Sequence, residues 1–350
     1  METSTAQQNQ TLTPSMSTSE PDDDIIEVSQ YVGALVVTCW LVAVGIYLVV
    51  CLLFYEVQVG AEIREIRQLN KQRHNVTQER VADWMSWLCL IASILALVRF
   101  GLELVEIVLG QSSSTICDPI RKCKAVLQWT VITCLHVVLW LRQRVFYKTP
   151  ALFHLSNAVI RLISKTVVLI MAVANVFSML LYVATREYQN SGRGCQLSWT
   201  SIWTKLPCIV QFIFTTLFQV ILLGLLVYPL YKHWMATKRV VSNSLNKEVE
   251  LIKRVTIATL VTMVLDIAAG LLVLHTFDQA YEILYDLVYD IDLLINLLAV
   301  ICTLADRRTR MAPFLVRQSK IVETTRRKYD NSQRSRVMSL SNDVWSPSRN

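Results

Sequence analysis

Residues 31–57 read YVGALVVTCWLVAVGIYLVVCLLFYEV, an apolar run with no charge before Glu56. A helix needs about 20 apolar residues to cross the hydrocarbon core of a bilayer, and this stretch supplies them without a break. The run is continuous instead of alternating, which excludes the strands of a membrane β-barrel. Runs of the same kind recur at about 82–109, 124–147, 164–184, 206–231, 255–276 and 284–305. With the first, placed at about 31–55, they predict seven spans. The chain of 350 residues is 53% hydrophobic and 17% charged, against roughly 25% charged in a soluble domain. Nearly all the charge lies between the runs. That pattern excludes a soluble α/β enzyme, a disulfide-rich secreted module and a disordered chain. The expected fold is an all-α membrane protein, a seven-transmembrane helix bundle in a lipid bilayer.

Sidedness follows from the basic residues, which cytoplasmic loops retain. With the amino terminus outside, segments 56–81, 142–165, 232–254 and 306–350 face the cytoplasm and hold 27 of the 34 Lys and Arg residues; the outer segments hold 6. The expectation is an outer amino terminus, a cytoplasmic carboxyl terminus and residence in the plasma membrane. Residues 1–30 carry no apolar core for a cleavable signal. They are polar, acidic near their end, and expected to form a disordered extracellular tail; residues 306–350 make a mostly disordered cytoplasmic one. Asn9-Gln10-Thr11 is a glycosylation acceptor on the outer tail. The net charge of +7 resides mainly on the cytoplasmic side, where it faces anionic lipid and not nucleic acid.

Six of the nine cysteines fall inside or at the ends of spans, where they behave as small buried hydrophobes. Cys117, Cys123 and Cys195 remain on the oxidising side. One bridge from Cys195 to the top of the third helix, at Cys117 or Cys123, leaves an odd thiol.

Seven spans, an outer amino terminus and an outer-loop cysteine opposite the third helix together resemble a G protein-coupled receptor. At the cytoplasmic end of the third helix stands Trp140-Leu141-Arg142-Gln143-Arg144-Val145-Phe146-Tyr147. Rhodopsin-like receptors carry an arginine here that locks the resting state and then contacts the G protein. The resemblance gives that role to Arg142, 25 residues after Cys117, or to Arg144, 21 after Cys123. Leu141 replaces the family's acidic residue, and Asn296-Leu297-Leu298-Ala299-Val300 keeps only the asparagine of Asn-Pro-x-x-Tyr. The second span lacks the mid-helix aspartate and the sixth the Trp-x-Pro kink. The likeness is one of architecture, in a divergent member.

Ionisable groups within a membrane are costly and tend to face a bundle interior, so each is a candidate site residue. The second span carries Arg99, Glu103 and Glu106, the sixth Asp266, and the seventh Asp286, Asp290, Asp292 and Asn296. By helical rise, Arg99 and Asp266 lie roughly 15 Å below the outer helix ends and Asp292 about 12 Å. This predicts a cluster joining helices two, six and seven, with Arg99–Asp292 as the favoured pair and Arg99–Glu103 as the local alternative. Nearer the mouth, Glu103, Glu106, Asp286 and Asp290 would line an acidic vestibule suited to a cationic ligand. The histidines have no metal-ligand spacing, and there is no phosphate loop or nucleophile elbow. No enzyme activity, metal or cofactor is expected. The functional expectation is a receptor passing an extracellular signal to a heterotrimeric G protein. The alternative is a seven-span transporter or channel using Arg99, Asp266 and Asp292 as an ion or proton pathway.

Overall fold

Long apolar runs with few breakers fold into helices in the computed structural model, which describes residues 21–69, 76–109, 114–147, 158–190, 195–198, 202–237, 245–276 and 282–303. Seven helices are found among them: α1 (Pro21–Leu69), α2 (Val76–Leu109), α3 (Ser114–Tyr147), α4 (Ala158–Thr185), α5 (Ile202–Thr237), α6 (Leu245–Thr276) and α7 (Glu282–Thr303). Several helices extend beyond their apolar runs, α6 among them, which opens at Leu245 instead of 255; the starts of α1 and α3 also differ. Helix α1 opens at Pro21, whose missing N–H suits the first position of a helix, so residues 21–30 are helical instead of disordered. Helix α3 opens at Ser114, ten residues before the apolar run begins at 124. In both cases charged residues lower hydropathy without preventing a helix. Asn9 and the 306–350 tail lie outside the described residues.

Five helices are long and apolar enough to cross a membrane, over Ser29–Val57, Asp83–Leu109, Ile116–Val145, Leu162–Thr185 and Lys205–Leu225. Helix α6 offers a shorter apolar stretch, Thr256–Leu272. Helix α7 is apolar apart from Glu282, Asp286, Asp290, Asp292, Asn296 and Thr303. The surface is that of a membrane protein. Leu162, Leu169, Val173, Phe177 and Leu180 form one exposed stripe on α4, and Trp40 and Tyr47 are exposed on α1, while Arg99, Lys124 and Asp290 are buried. Water would favour the reverse arrangement.

Each helix packs against its successor in the chain, and α7 returns to α1, closing a ring. Helix α3 touches α2, α4, α5 and α7, and α2 also touches α7, so α3 runs through the middle. The main core joins α1, α2, α3 and α7 through Leu41, Leu48, Ala92, Ala96, Phe100, Val131, Leu135, Leu294 and Leu297. A small residue on α1 lets α2 come close: a Cβ on Gly45 would lie 3.1 Å from Leu97. The α4–α5 side has a smaller core of Met171, Phe218 and Leu222.

Between α4 and α5 an antiparallel hairpin pairs β1 (Tyr188–Asn190) with β2 (Cys195–Leu197), Asn190 opposite Cys195. A Cys117–Cys195 disulfide pins it to α3, with Cα atoms 5.5 Å apart. Cys123 is the odd thiol, exposed on another face of α3. Tyr188 packs with Ala125, Trp129 and Tyr182 beneath the hairpin, and its hydroxyl meets that of Tyr182 at 2.7 Å. Burial, with Tyr182 beside it, pushes the Tyr188 phenol well above its ordinary value, so it serves as a neutral hydrogen-bonding group.

On the α5–α6 side, a Cβ at Gly270 would fall onto the Phe212 ring, whereas Gly224 has open space around it. Gly270→Ala should therefore destabilise by about 1–3 kcal/mol through overpacking, seen as a lower unfolding midpoint of the purified protein in lipid nanodiscs. Gly224→Ala should not lower it, and Phe212→Ala should relieve the Gly270→Ala loss. Equal midpoints for the two alanine variants would show that the helices are not in this contact.

Candidate functional site

One face of α3 organises the interior. Cys117, Arg121, Lys124, Gln128, Val131, Leu135, Val138 and Arg142 follow one another at alternating spacings of four and three, which keeps them on a single stripe. All but the half-buried Gln128 are buried. This stripe, and not local hydropathy, selects Cys117 over Cys123 for the bridge.

At the hairpin end, α2, α3 and α7 share a network of seven buried charged side chains. Arg99 Nε meets Asp290 Oδ1 at 2.5 Å, and Arg99 Nη1 donates to the Lys124 carbonyl at 3.0 Å. Arg121 pairs with Glu106 at 2.5 Å and with Asp286 at 3.0 Å. Lys124 Nζ pairs with Glu103 and Glu106, and with Asp286 at 2.8 Å. Arg121 also donates to the Cys195 carbonyl at 3.3 Å, tying the network to the hairpin. Oxygens of Glu103, Glu106 and Asp286 gather within 4.8 Å of one another, but Lys124 and Arg121 already meet these carboxylates, so the cluster is an ion-pair network and not a metal site.

Two expectations change here. Arg99 pairs with Asp290 and not with Asp292 or Glu103. Asp290 lies one turn from Asp286, on the face of α7 that continues through Leu293, Leu294 and Leu297 into the core. Asp292, two residues further, points to another side. The acidic vestibule is likewise absent, because Glu103, Glu106, Asp286 and Asp290 are each bonded to Arg99, Arg121 or Lys124. The apolar run of the third span begins only at 124, so hydropathy alone leaves Arg121 outside it; the stripe spacing is the signal that places Arg121 and Lys124 inside.

Asp292 belongs to a second cluster, on α5, α6 and α7. Asp266 Oδ2 accepts from the Gln219 amide and Asp266 Oδ1 from Asn296 Nδ2 at 2.5 Å. The same Asn296 amide lies 3.4 Å from Asp292 Oδ2. The single expected cluster of helices two, six and seven is thus two clusters on opposite faces of α7.

A cavity of about 110 Å³ lies between α3, α5, α6 and α7. Arg121 and Lys124 stand at its hairpin end, Asp266, Asp292 and Asn296 further in, and Leu139, Leu222 and Val300 also line it. Its walls include Tyr285 and Tyr289, whose rings meet edge to face at 5.0 Å. His136 is buried in the wall, edge-on to Phe218 at 4.9 Å.

At the opposite end of α3 the two arginines part. Arg142 is buried, while Arg144 is exposed and lies 5.6 Å from the Trp140 ring. Trp140 donates to Ser164 Oγ at 2.9 Å, fixing α4 against α3. No protein-family model matches the chain, and no curated protein is similar to it at a significant level.

Removing one partner of a buried ion pair leaves an uncompensated charge and costs about 3–5 kcal/mol. Arg99→Met and Asp290→Leu should each lower the unfolding midpoint in nanodiscs by that order. The double variant should recover much of the loss, because the cost lies in the stranded charge. Losses that simply add would contradict the pairing.

Proposed function

We propose that this chain is a divergent seven-helix receptor of the plasma membrane, similar in architecture to G protein-coupled receptors, with its amino terminus outside and its carboxyl terminus in the cytoplasm. The observation that carries the reading is the course of α3. It runs from the disulfide-pinned hairpin, along the wall of the cavity, to the buried Arg142. From Lys124 to Arg142 is about 27 Å of helix. A ligand that prefers one arrangement of the cavity walls shifts a two-state bundle by its difference in affinity. Helix α3 carries that shift to the cytoplasmic end, where a heterotrimeric G protein docks.

The closed ring of seven helices supports seven crossings. Helix α7 fails a hydropathy test because of its aspartates, yet two of them are neutralised by Arg99, Arg121 and Lys124. The ion or proton pathway of the rival transporter reading requires Arg99 to act with Asp266 and Asp292. Arg99 instead bonds to Asp290, and the buried Val138 and Ile301 lie in the packed core of α1, α2, α3 and α7. Both features favour a receptor over a conduit.

Between the two candidate coupling residues, burial favours Arg142 as the switch and leaves Arg144 as a surface contact. G protein activation should be measured in cells expressing the chain, across pools of extracellular ligands. With a responding pool, Arg142→Ala should reduce the response by about tenfold or more at equal surface expression. Arg144→Ala should have the smaller effect. Absence of any response, basal or stimulated, together with ligand-driven ion flux, would overturn the receptor reading in favour of transport.

A further inference from the structure

In the ion-pair network at the hairpin end each of the four carboxylates already meets a basic side chain, so they offer less to a cationic ligand. The inner cluster differs. Asp266 and Asp292 both line the cavity, and among the described residues neither has a Lys or Arg partner. Two neutral amides, Gln219 and Asn296, donate to them, and the two carboxyl groups also face each other within hydrogen-bonding reach. Asn296 serves both carboxylates with one nitrogen, which leaves the pair short of donors.

A second observation points to what is missing. Gln219 is 6% exposed and lines the same cavity, and its Oε1 has no hydrogen-bond partner. Its orientation is fixed by chemistry: turned over, the amide would set an oxygen against Asp266 and lose the bond its nitrogen makes. Asp292 Oδ1 is also buried without a partner. Two carboxylates, one of them with an unmet oxygen, and the unmet Gln219 Oε1 therefore share one small chamber. A buried acceptor left unpaired is costly, and a guest that brings several N–H donors and a positive charge meets the whole deficit.

We infer that the cavity binds a compact primary amine, its ammonium held by Asp266 and Asp292 and donating to Gln219 Oε1. An ammonium has three donors and no acceptor, which matches a chamber floor of acceptors. The rest of the guest lies among Tyr285, Tyr289 and Phe212, lining residues whose rings suit an apolar tail. At about 110 Å³ the space is smaller than the roughly 150 Å³ cavity that admits benzene, so the tail is short. The assignment deepens the receptor reading, on which its biological meaning rests, but binding itself can be measured without any signalling partner.

The test uses the purified full chain in lipid nanodiscs at neutral pH, with n-butylamine and its uncharged counterpart 1-butanol as probes. Calorimetric titration should show the amine binding about tenfold or more tightly than the alcohol, the scale of hydrogen bonds to charged groups. Asp292→Asn and Asp266→Asn should each remove most of that preference while leaving alcohol binding unchanged. Where a variant fails to fold, as judged by its melting curve, the amine-to-alcohol ratio on the unaltered protein decides alone. Equal affinity for the two probes overturns the inference. So does an amine-to-alcohol ratio left unchanged by an Asn substitution in folded protein, or binding heat from sodium chloride where the amine gives none, which would assign the chamber to an inorganic cation. None of these failures touches the G protein assay, which judges the receptor reading separately.

Discussion

Placing a charge in an apolar interior is costly unless an opposite charge meets it there with good geometry. Seven charged side chains from α2, α3 and α7 meet that condition together, and none of them does so alone. The three helices must therefore stand side by side at one depth. Arg121 extends the constraint to the hairpin through the Cys195 carbonyl, and the Cys117–Cys195 bridge holds the same strand covalently. Below the network, α1, α2, α3 and α7 fill their shared space with aliphatic side chains. The other half of the ring, where α5 and α6 pack, holds the cavity and the carboxylates without cations. A fixed half and a half with room to rearrange are what the proposed two-state receptor needs.

Much of this could be read in the sequence, for physical reasons. Continuous apolar runs of bilayer length mark spans directly, and the concentration of Lys and Arg in alternate segments gives the expected orientation. Intramembrane charge marked Arg99, Asp266, Asp286, Asp290 and Asp292 as interior residues. Their partners were less legible. Depth along a helix carries no information about rotation around its axis, so depth alone pairs Asp292 with Arg99 although Asp290 is on the face that turns toward α2. Charge at Arg121 and Lys124 lowers hydropathy and delays the apolar run to 124, though it does not stop a helix whose neighbours can neutralise it. The four-and-three spacing from Cys117 to Arg142 carried the correct information. It sets Cys117 inward and Cys123 outward, Arg142 inward and Arg144 outward. What no pattern in one chain shows is the cavity, since an unfilled space arises from where side chains of four helices fail to meet.

The same electrostatics bears on the number of crossings. By composition, α7 is a poor membrane helix, and five helices pass a hydropathy criterion unaided. In the ring, α7 touches α1, α2, α3 and α6, and Asp286 and Asp290 find their cations on α2 and α3. The proposal that α7 crosses the bilayer thus rests on its partners instead of its own hydrophobicity. Asp292 is the exception, facing the cavity with Asp266, and it is there that the proposed ligand supplies the charge that the protein does not.

The most direct test of this account is the sidedness of the two ends of α7. In a Cys123→Ser background, cysteines introduced at Asp278→Cys and Ser341→Cys would be probed with a membrane-impermeant maleimide on intact and permeabilised cells. If ion pairing carries α7 across the bilayer as the seventh span, position 278 labels on intact cells and position 341 only after permeabilisation. Labelling of both positions from the same compartment would contradict the account.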